Sequence, residues 1–387
     1  MKRVFLLILG LLLALSAGCM EGVPLDKYCY VLDLGIERGE RMPYRFVFLL
    51  NRDVEGEPGQ EGGGVSVVHV EERSLFDAIE ALSGALSAQL SFERATLLAF
   101  SREIAESGEI PALTDGAWGR LKIRQNIRVI ILEADLISAF QGFISPEDPT
   151  MSRLKANVKL YMDSFGYVED WGMNRMREAF RHQAGDALLP YAALVGSAPR
   201  ADMAGGLAYP YTGGQLLGEG QMKTSLAGSA VFSGGRMKGV LSGQHTMLVL
   251  MANGVFRAGH LRLPSSAGEL NLALYRVGRP QRRLQDGVFT CRITLEADLE
   301  RPERVDLEGA ALSAEAEAYL AAELARVFSA TAAAGADVFF VGAEAIRDFS
   351  RWESWESYDF AARLGKIVPD FQVRVKLSHS PRDPALE

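Results

Sequence analysis

The sequence predicts a mixed α+β and α/β protein built from more than one domain, and three observations carry that prediction. Through the first half, short runs rich in Val, Tyr, Phe and Leu alternate with segments of helical period. A stretch dense in Gly, Pro and Ala, from Ala193 to Gly220, then breaks all periodicity, as domain boundaries do. The last third pairs the cleanest two-residue alternation in the chain with one long helix. With 387 residues, 48% of them hydrophobic and 23% charged, the chain is globular and too long for a single core. Its formal net charge of -8 supplies no basic block to displace counterions from a phosphate backbone, so a nucleic-acid partner is not expected.

Residues 1–18 read as an export signal. Met1-Lys2-Arg3 is a basic start, and the apolar run from Val4 to Leu15 is shorter than the roughly 20 residues that span a bilayer. Small residues follow at Ser16-Ala17-Gly18, ahead of a cysteine. Leu15-Ser16-Ala17-Gly18-Cys19 resembles a bacterial lipobox, with Ser16 where leucine is favoured. That resemblance implies that diacylglycerol alkylates the Cys19 thiol and that cleavage makes Cys19 the first mature residue. Two acyl chains give stable anchoring where one gives only reversible binding. Cys29 and Cys291 lie inside apparent strands and are expected to be buried free thiols, with pairing to each other in an oxidising compartment as the alternative.

The N-terminal α/β domain is expected over 19–200. Strands run from Cys29 to Leu34, Tyr44 to Leu50 and Val65 to Val70, the last two separated by a Gly- and Glu-rich hairpin loop from Glu55 to Gly64. That loop has no trailing Gly-Lys-Ser/Thr, so it is not a phosphate-binding loop. Ser74 caps a helix in a capping box with Asp77, and Phe76, Ile79, Leu82 and Leu86 form its expected buried stripe. A strand follows from Ala95 to Phe100, then a short helix from Ser101 to Gly108 and a strand from Ile127 to Leu132. The stretch from Met151 to Arg181 reads as helical.

A Gly-rich linker is expected over 201–227, then a small β-rich middle domain over 228–265. In that piece Gly228 to Leu241 and Thr246 to Leu250 read as strands, and Asn253-Gly254 as a two-residue hairpin turn before Val255 and Phe256. The C-terminal α+β domain, 266–387, opens on a strand whose Phe289, Cys291, Ile293 and Leu295 face one way and Thr290, Arg292 and Thr294 the other. A helix from Ser313 to Ala334 carries Leu320, Leu324, Val327, Phe328 and Thr331 on one side and stops at Gly335. Phe371, Val373, Val375 and Leu377 alternate in a last strand, so the helix should cover one face of an antiparallel or mixed sheet.

Chemistry-bearing patterns are sparse. The five histidines, at 69, 182, 245, 260 and 379, have no second ligand at zinc-site spacing, and no metal or cofactor is expected. Spacing alone leaves Ser-His-Asp and Cys-His assemblies open, but no Gly-x-Ser-x-Gly elbow occurs. No catalytic residue is assigned, and the expectation is a protein that is not an enzyme. Trp352 and Trp355, with Phe349 and Phe360, form an aromatic stripe read as core packing, with a partner-facing patch as the alternative. Glu353, Glu356 and Asp359 argue against an anionic lipid surface there.

Taken in order, several segments resemble the Ger(x)C family of spore germination lipoproteins, the C subunits of nutrient germinant receptors. Leu34-Gly35-Ile36-Glu37 follows the family's first strand, although Met20-Glu21 stands where the family has Trp-Asp. Ser74-Leu75-Phe76-Asp77-Ala78-Ile79, Leu97-Leu98-Ala99-Phe100-Ser101 and Ile104-Ala105-Glu106-Ser107-Gly108 are similar to its next helix, strand and helix. Gly228-Ser229-Ala230-Val231-Phe232 leads to Met237-Lys238-Gly239-Val240-Leu241, and Ala336-Asp337-Val338-Phe339-Phe340-Val341-Gly342 precedes Trp352 and the final strand. The resemblance implies a non-catalytic, lipid-anchored subunit on the outer surface of the inner membrane of dormant spores. Its implied partners are an integral A subunit and a transporter-like B subunit, in a complex that senses small nutrients. The competing reading is an exported lipoprotein that binds a small ligand for a transporter, which would call for a deep apolar cleft between domains.

Overall fold

The computed structural model describes residues 28–51, 65–115, 121, 123–124, 126–144, 158–181, 184–194, 203, 224–266, 268–300 and 309–378. Cys19, the export signal, the Glu55–Gly64 loop and nearly all of the Gly-rich linker lie outside them. The described chain forms two mixed sheets with helices packed on and between them.

The first sheet takes β1 (Tyr28–Arg38), β2 (Tyr44–Asn51), β3 (Val65–Glu72), β4 (Gln89–Ser91), β5 (Leu97–Ser101), β6 (Arg128–Glu133), β7 (Leu188–Leu194), β8 (Thr224–Ser233) and β9 (Arg236–Ser242). Its order is β3-β2-β1-β5-β6-β7-β8-β9, with β4 beside the start of β1. Neighbours from β1 through β7 are parallel, and antiparallel pairs close both ends. Both faces are buried. Val47, Leu49, Leu97, Ala99, Ile130 and Leu132 pack on one face beneath Leu136, Ala139 and Phe140 of α4 (Leu136–Phe143). Phe46, Phe48, Leu98, Phe100, Val129 and Ile131 face the main core on the other. That is why the central strands read as unbroken apolar runs.

Helix α1 (Leu75–Leu86) starts as expected at Ser74, whose hydroxyl accepts from the Asp77 amide. Its buried stripe is Leu75, Ala78 and Leu82, with Ile79 and Leu86 half-buried; Phe76, expected inside, is 39% exposed. A helix of 3.6-residue period turns position 76 away once 75, 78 and 82 face the sheet. Helix α2 (Arg102–Ser107) runs between the expected Ser101 and Gly108 caps and leads to α3 (Ile110–Asp115). Of the stretch expected as helix before Arg181, the described residues form a helical turn ending in Tyr161–Phe165, irregular chain, and α5 (Met173–Arg181).

The middle segment 228–265 has no sheet of its own. β8 and β9 complete the edge of the first sheet, while β10 (Ala258–Ser265) opens the second. Between them Thr246–Leu250 is not a strand but part of α6 (Gly243–Asn253), and Asn253-Gly254 is its C-terminal cap, with Gly254 at φ +72. All of α6 from Gly243 to Ala252 is buried, so it shows no amphipathic period, and a short apolar run of that kind reads equally as a strand.

The second sheet adds β11 (Gly268–Arg276), β12 (Gln281–Gln285), β13 (Val288–Glu300) and β14 (Val368–Ser378), in the order β10-β11-β13-β12 with β14 parallel to the far side of β13. α7 (Gly309–Ala333) lays Leu320, Leu324, Val327, Phe328 and Thr331 into the core against Phe289, Cys291, Ile293 and Leu295, all buried. The opposite face, with Arg292, Thr294 and Gln372, is open. Expected and observed elements agree closely here, because one wet face leaves the alternation intact.

Candidate functional site

The residues that carry the late sequence motif form the joint between the sheets. α7 ends at Gly335, whose amide bonds Ala332 O, while the Ala336 amide bonds Thr331 O at 2.9 Å. The next residue, Asp337, is 4% exposed. Its carboxylate accepts the Val341 and Gly342 amides at 2.8 and 2.7 Å, capping α8 (Val341–Ala345). Its own amide donates to Asp186 Oδ2 at 2.8 Å, and its carbonyl accepts the Asp186 amide at 3.0 Å. Asp186 in turn accepts the Gly234 amide of the β8–β9 turn. Ser233 Oγ donates to Gly335 O at 2.6 Å, Asn253 Nδ2 to Val338 O at 2.9 Å, and Arg282 Nη2 to Phe340 O at 3.0 Å. One loop thus ties together the approach to β7, the β8–β9 turn, the end of α6 and β12.

Steric fit makes the joint specific. Phe340 sits in the left-handed region at φ +52 and lies against Gly185. A Cβ on Gly185, itself at φ +147, would fall 2.1 Å from the Phe340 ring, so only glycine fits. Burial pushes the Asp337 carboxyl up to about 6 against the opposing pull of its two amide bonds, and the nearby Asp186 carboxylate adds to the rise. The Asp186 carboxyl is raised as well, chiefly by burial.

Three other chemistry-bearing side chains, Cys29, Cys291 and His245, lie in the core. Cys29 and Cys291 are buried thiols outside any disulfide, one in each sheet, and burial pushes the Cys291 thiol up to about 12. That leaves it protonated and a poor nucleophile. His245 on α6 is fully buried; desolvation, with Arg326 beside its Nε2 at 3.1 Å, holds it down at about 4. His69 and His260 are exposed on β3 and β10, and His182 and His379 lie outside the described residues. Among the described residues no group of three or more His, Cys, Asp and Glu is placed to hold a metal ion. No helix among them is long and apolar enough to cross a membrane.

Both readings of the aromatic stripe find a residue. On α9 (Trp352–Tyr358), Trp355 is buried, stacked with Phe360 of α10 (Phe360–Leu364) and edge-on to Phe349. Trp352 is 48% exposed, with its indole N–H on Glu356 at 2.6 Å. Two surface concavities are polar. One of about 580 Å³ lies on the open face of the second sheet along Gln281, Arg283, Thr290 and Arg292. The other, about 340 Å³, lies at the start of β5 and β6 along Thr96, Arg124, Asn126, Arg128 and Asp170. The space between the sheets, where a small-ligand carrier would keep its cleft, is filled by α6.

Sequence reasoning found the 336–342 motif but not its partners, since Asp186, Ser233, Asn253 and Arg282 are scattered in the chain and carry no local signal. It also passed over Arg124 and Arg128, which border the second concavity.

Comparison with known proteins agrees with this architecture. A family model described as "Spore germination protein N-terminal domain" matches residues 22–194, and one described as "Spore germination B3/ GerAC like, C-terminal" matches 227–380. No curated protein sequence matches significantly. Among solved structures, "Crystal Structure of the GerBC protein" shares the fold with a TM-score of 0.53 and 8% identity, over 89% of this chain and 96% of that one. β8, most of which falls within the C-terminal match, pairs with β7 of the N-terminal match and carries β9 on its other edge, so the two parts share one sheet. Matched in order along both of its parts, the chain belongs to the GerAC-like family of spore germination proteins.

Proposed function

We propose that this chain is the non-catalytic C subunit of a nutrient germinant receptor, anchored by lipid on Cys19 at the outer surface of the spore inner membrane beside integral A and B subunits. The ordered match of both family models across the chain carries the reading. Leu15-Ser16-Ala17-Gly18-Cys19 supports the anchor, since small residues before a cysteine suit signal cleavage and thiol alkylation. The welded joint suits a scaffold: a rigid body tethered in the membrane plane meets its partners at high effective concentration without any chemistry of its own. The test is a Cys19→Ala variant expressed at normal level in spores. The proposal expects loss of membrane retention, loss of nutrient-triggered germination, and loss of co-purification with A and B from detergent-solubilised membranes. Full retention and full germination would refute the anchor, and a wild-type protein that never co-purifies with A or B would refute the subunit role.

A further inference from the structure

The joint between the sheets brings two carboxylates together and bonds both to backbone amides alone. Asp337 is 4% exposed, and its oxygens take the Val341 and Gly342 amides. Asp186 is half-buried, and its oxygens take the Gly234 and Asp337 amides. Among the described residues, the charged side chains on the elements around the pair are engaged elsewhere or exposed. Arg282 of β12 gives Nη2 to the Phe340 carbonyl and lies 3.6 Å by its Nε from Glu344 of α8. On β9, Arg236 donates to the Glu106 carbonyl at 3.1 Å, and Lys238 is exposed, pulling on Asp186 without bonding it.

The backbone at the same place is under strain. Phe340 holds φ +52, a left-handed conformation that works against closure in a residue with a side chain, and its ring lies against Gly185. The structure on either side does not depend on that contact. β7, β8 and β9 stay paired in the first sheet, and Phe339 stays packed against Phe328 of α7 and Phe371 of β14. Parting Asp186 from Asp337 and lifting Phe340 off Gly185 therefore requires neither sheet to unfold.

We infer that Asp186 and Asp337 form a proton-dependent latch between the two sheets, held closed when the pair carries a proton and opening locally more often once both carboxylates are charged. Two like charges repel strongly where water does not screen them, and opening admits water to both. Burial pushes the Asp337 carboxyl up to about 6 in the closed joint, against an ordinary 3.8, so the closed form binds the proton more tightly. The open fraction is lowest below about pH 4, rises as pH climbs through about 6 and then levels off, by up to roughly a hundredfold in all. The latch is a property of the fold and stands apart from the subunit reading.

Amide hydrogen exchange of the full-length protein from about pH 4 to about pH 8, with and without low urea and corrected for intrinsic exchange rates, tests it. Protection of the Asp337, Val341 and Gly342 amides should fall by up to roughly a hundredfold across the lower half of that range. The fall should be indifferent to urea, because local opening exposes little surface, whereas amides of β13 should exchange through urea-sensitive unfolding. Asp337→Asn should hold protection level across pH, and Asp186→Asn, which keeps Asp337 and removes the facing charge, should shrink the fall. The wild-type profile alone can overturn the latch: protection that ignores pH, or that falls only in step with β13 and with urea, rules it out. A fall that survives Asp337→Asn, or one that Asp186→Asn leaves unchanged, overturns it as well.

Discussion

The two sheets bury their strands differently, and that difference governs both what each can tolerate and what each can do. The first is covered on both faces, so consecutive residues such as Leu97 and Leu98 are both fully buried. The second is covered on one face, so Ile293 is buried while its neighbour Thr294 remains on the open side. A doubly covered sheet is committed to the core along its length and meets its surroundings at its ends. A singly covered sheet keeps a broad polar face free. In this chain the second sheet presents Arg292, Thr294 and Gln372 on its open face.

The sharpest way to break that contrast is an alanine scan along both. Leu97→Ala and Leu98→Ala should each destabilise by about 2–5 kcal/mol, with Ile293→Ala in the same range. Thr294→Ala should stay within about 0.5 kcal/mol. Trp355→Ala should cost about 3–5 kcal/mol and Trp352→Ala almost nothing, since only the first lies in the core. Denaturant unfolding checks the series, and a large loss at Thr294 would show that its face is covered after all.

The joint between the sheets should give the next largest effect. Asp337→Asn puts an amide N–H₂ where one of two amide donors now finds an oxygen, and should cost about 1–3 kcal/mol. It should also change the pH profile. The Asp337 carboxyl is higher in the folded chain, about 6 against an ordinary 3.8, so the folded state binds its proton more tightly. Its contribution is complete below about pH 4 and is lost as pH rises through about 6; Asp337→Asn should flatten that fall, as read by thermal unfolding across the window.

The smallest effect belongs to the surface of the first sheet. Hydrogen bonds from Arg38 on β1 and from Tyr44 on β2 hold the Glu109 carboxyl down at about 2. Here the sign is opposite: the stabilisation is present above pH 4.5 and is lost as pH falls through about 2. The pair is partly exposed, so Glu109→Gln should cost under about 1 kcal/mol and reduce the acid sensitivity measured in the same unfolding scans.

How much could be read from the sequence follows the same contrast. The C-terminal strands, α7 and its stop at Gly335 were legible because one wet face preserves a two-residue period and an amphipathic helix marks its own dry side. Helix α6 was not, because burial on every side erases the period; nor was the inward set of Leu75 and Ala78 over Phe76. The 336–342 segment could be matched to a family by its residues, but its role as a joint depends on Asp186, some 150 positions earlier, which no local pattern reveals. Nor could the sequence show that Arg124 and Thr96 wall one concavity, since that follows from parallel pairing of strands distant in the chain.

The claim on which the functional account depends most is covalent, and intact mass analysis of the N-terminal peptide of the protein purified from spore inner membranes tests it directly. The account predicts a mature chain that begins at Cys19 with diacylglycerol on its sulfur. A mature chain with an unmodified Cys19, or one that still carries residues 1–18, would contradict it.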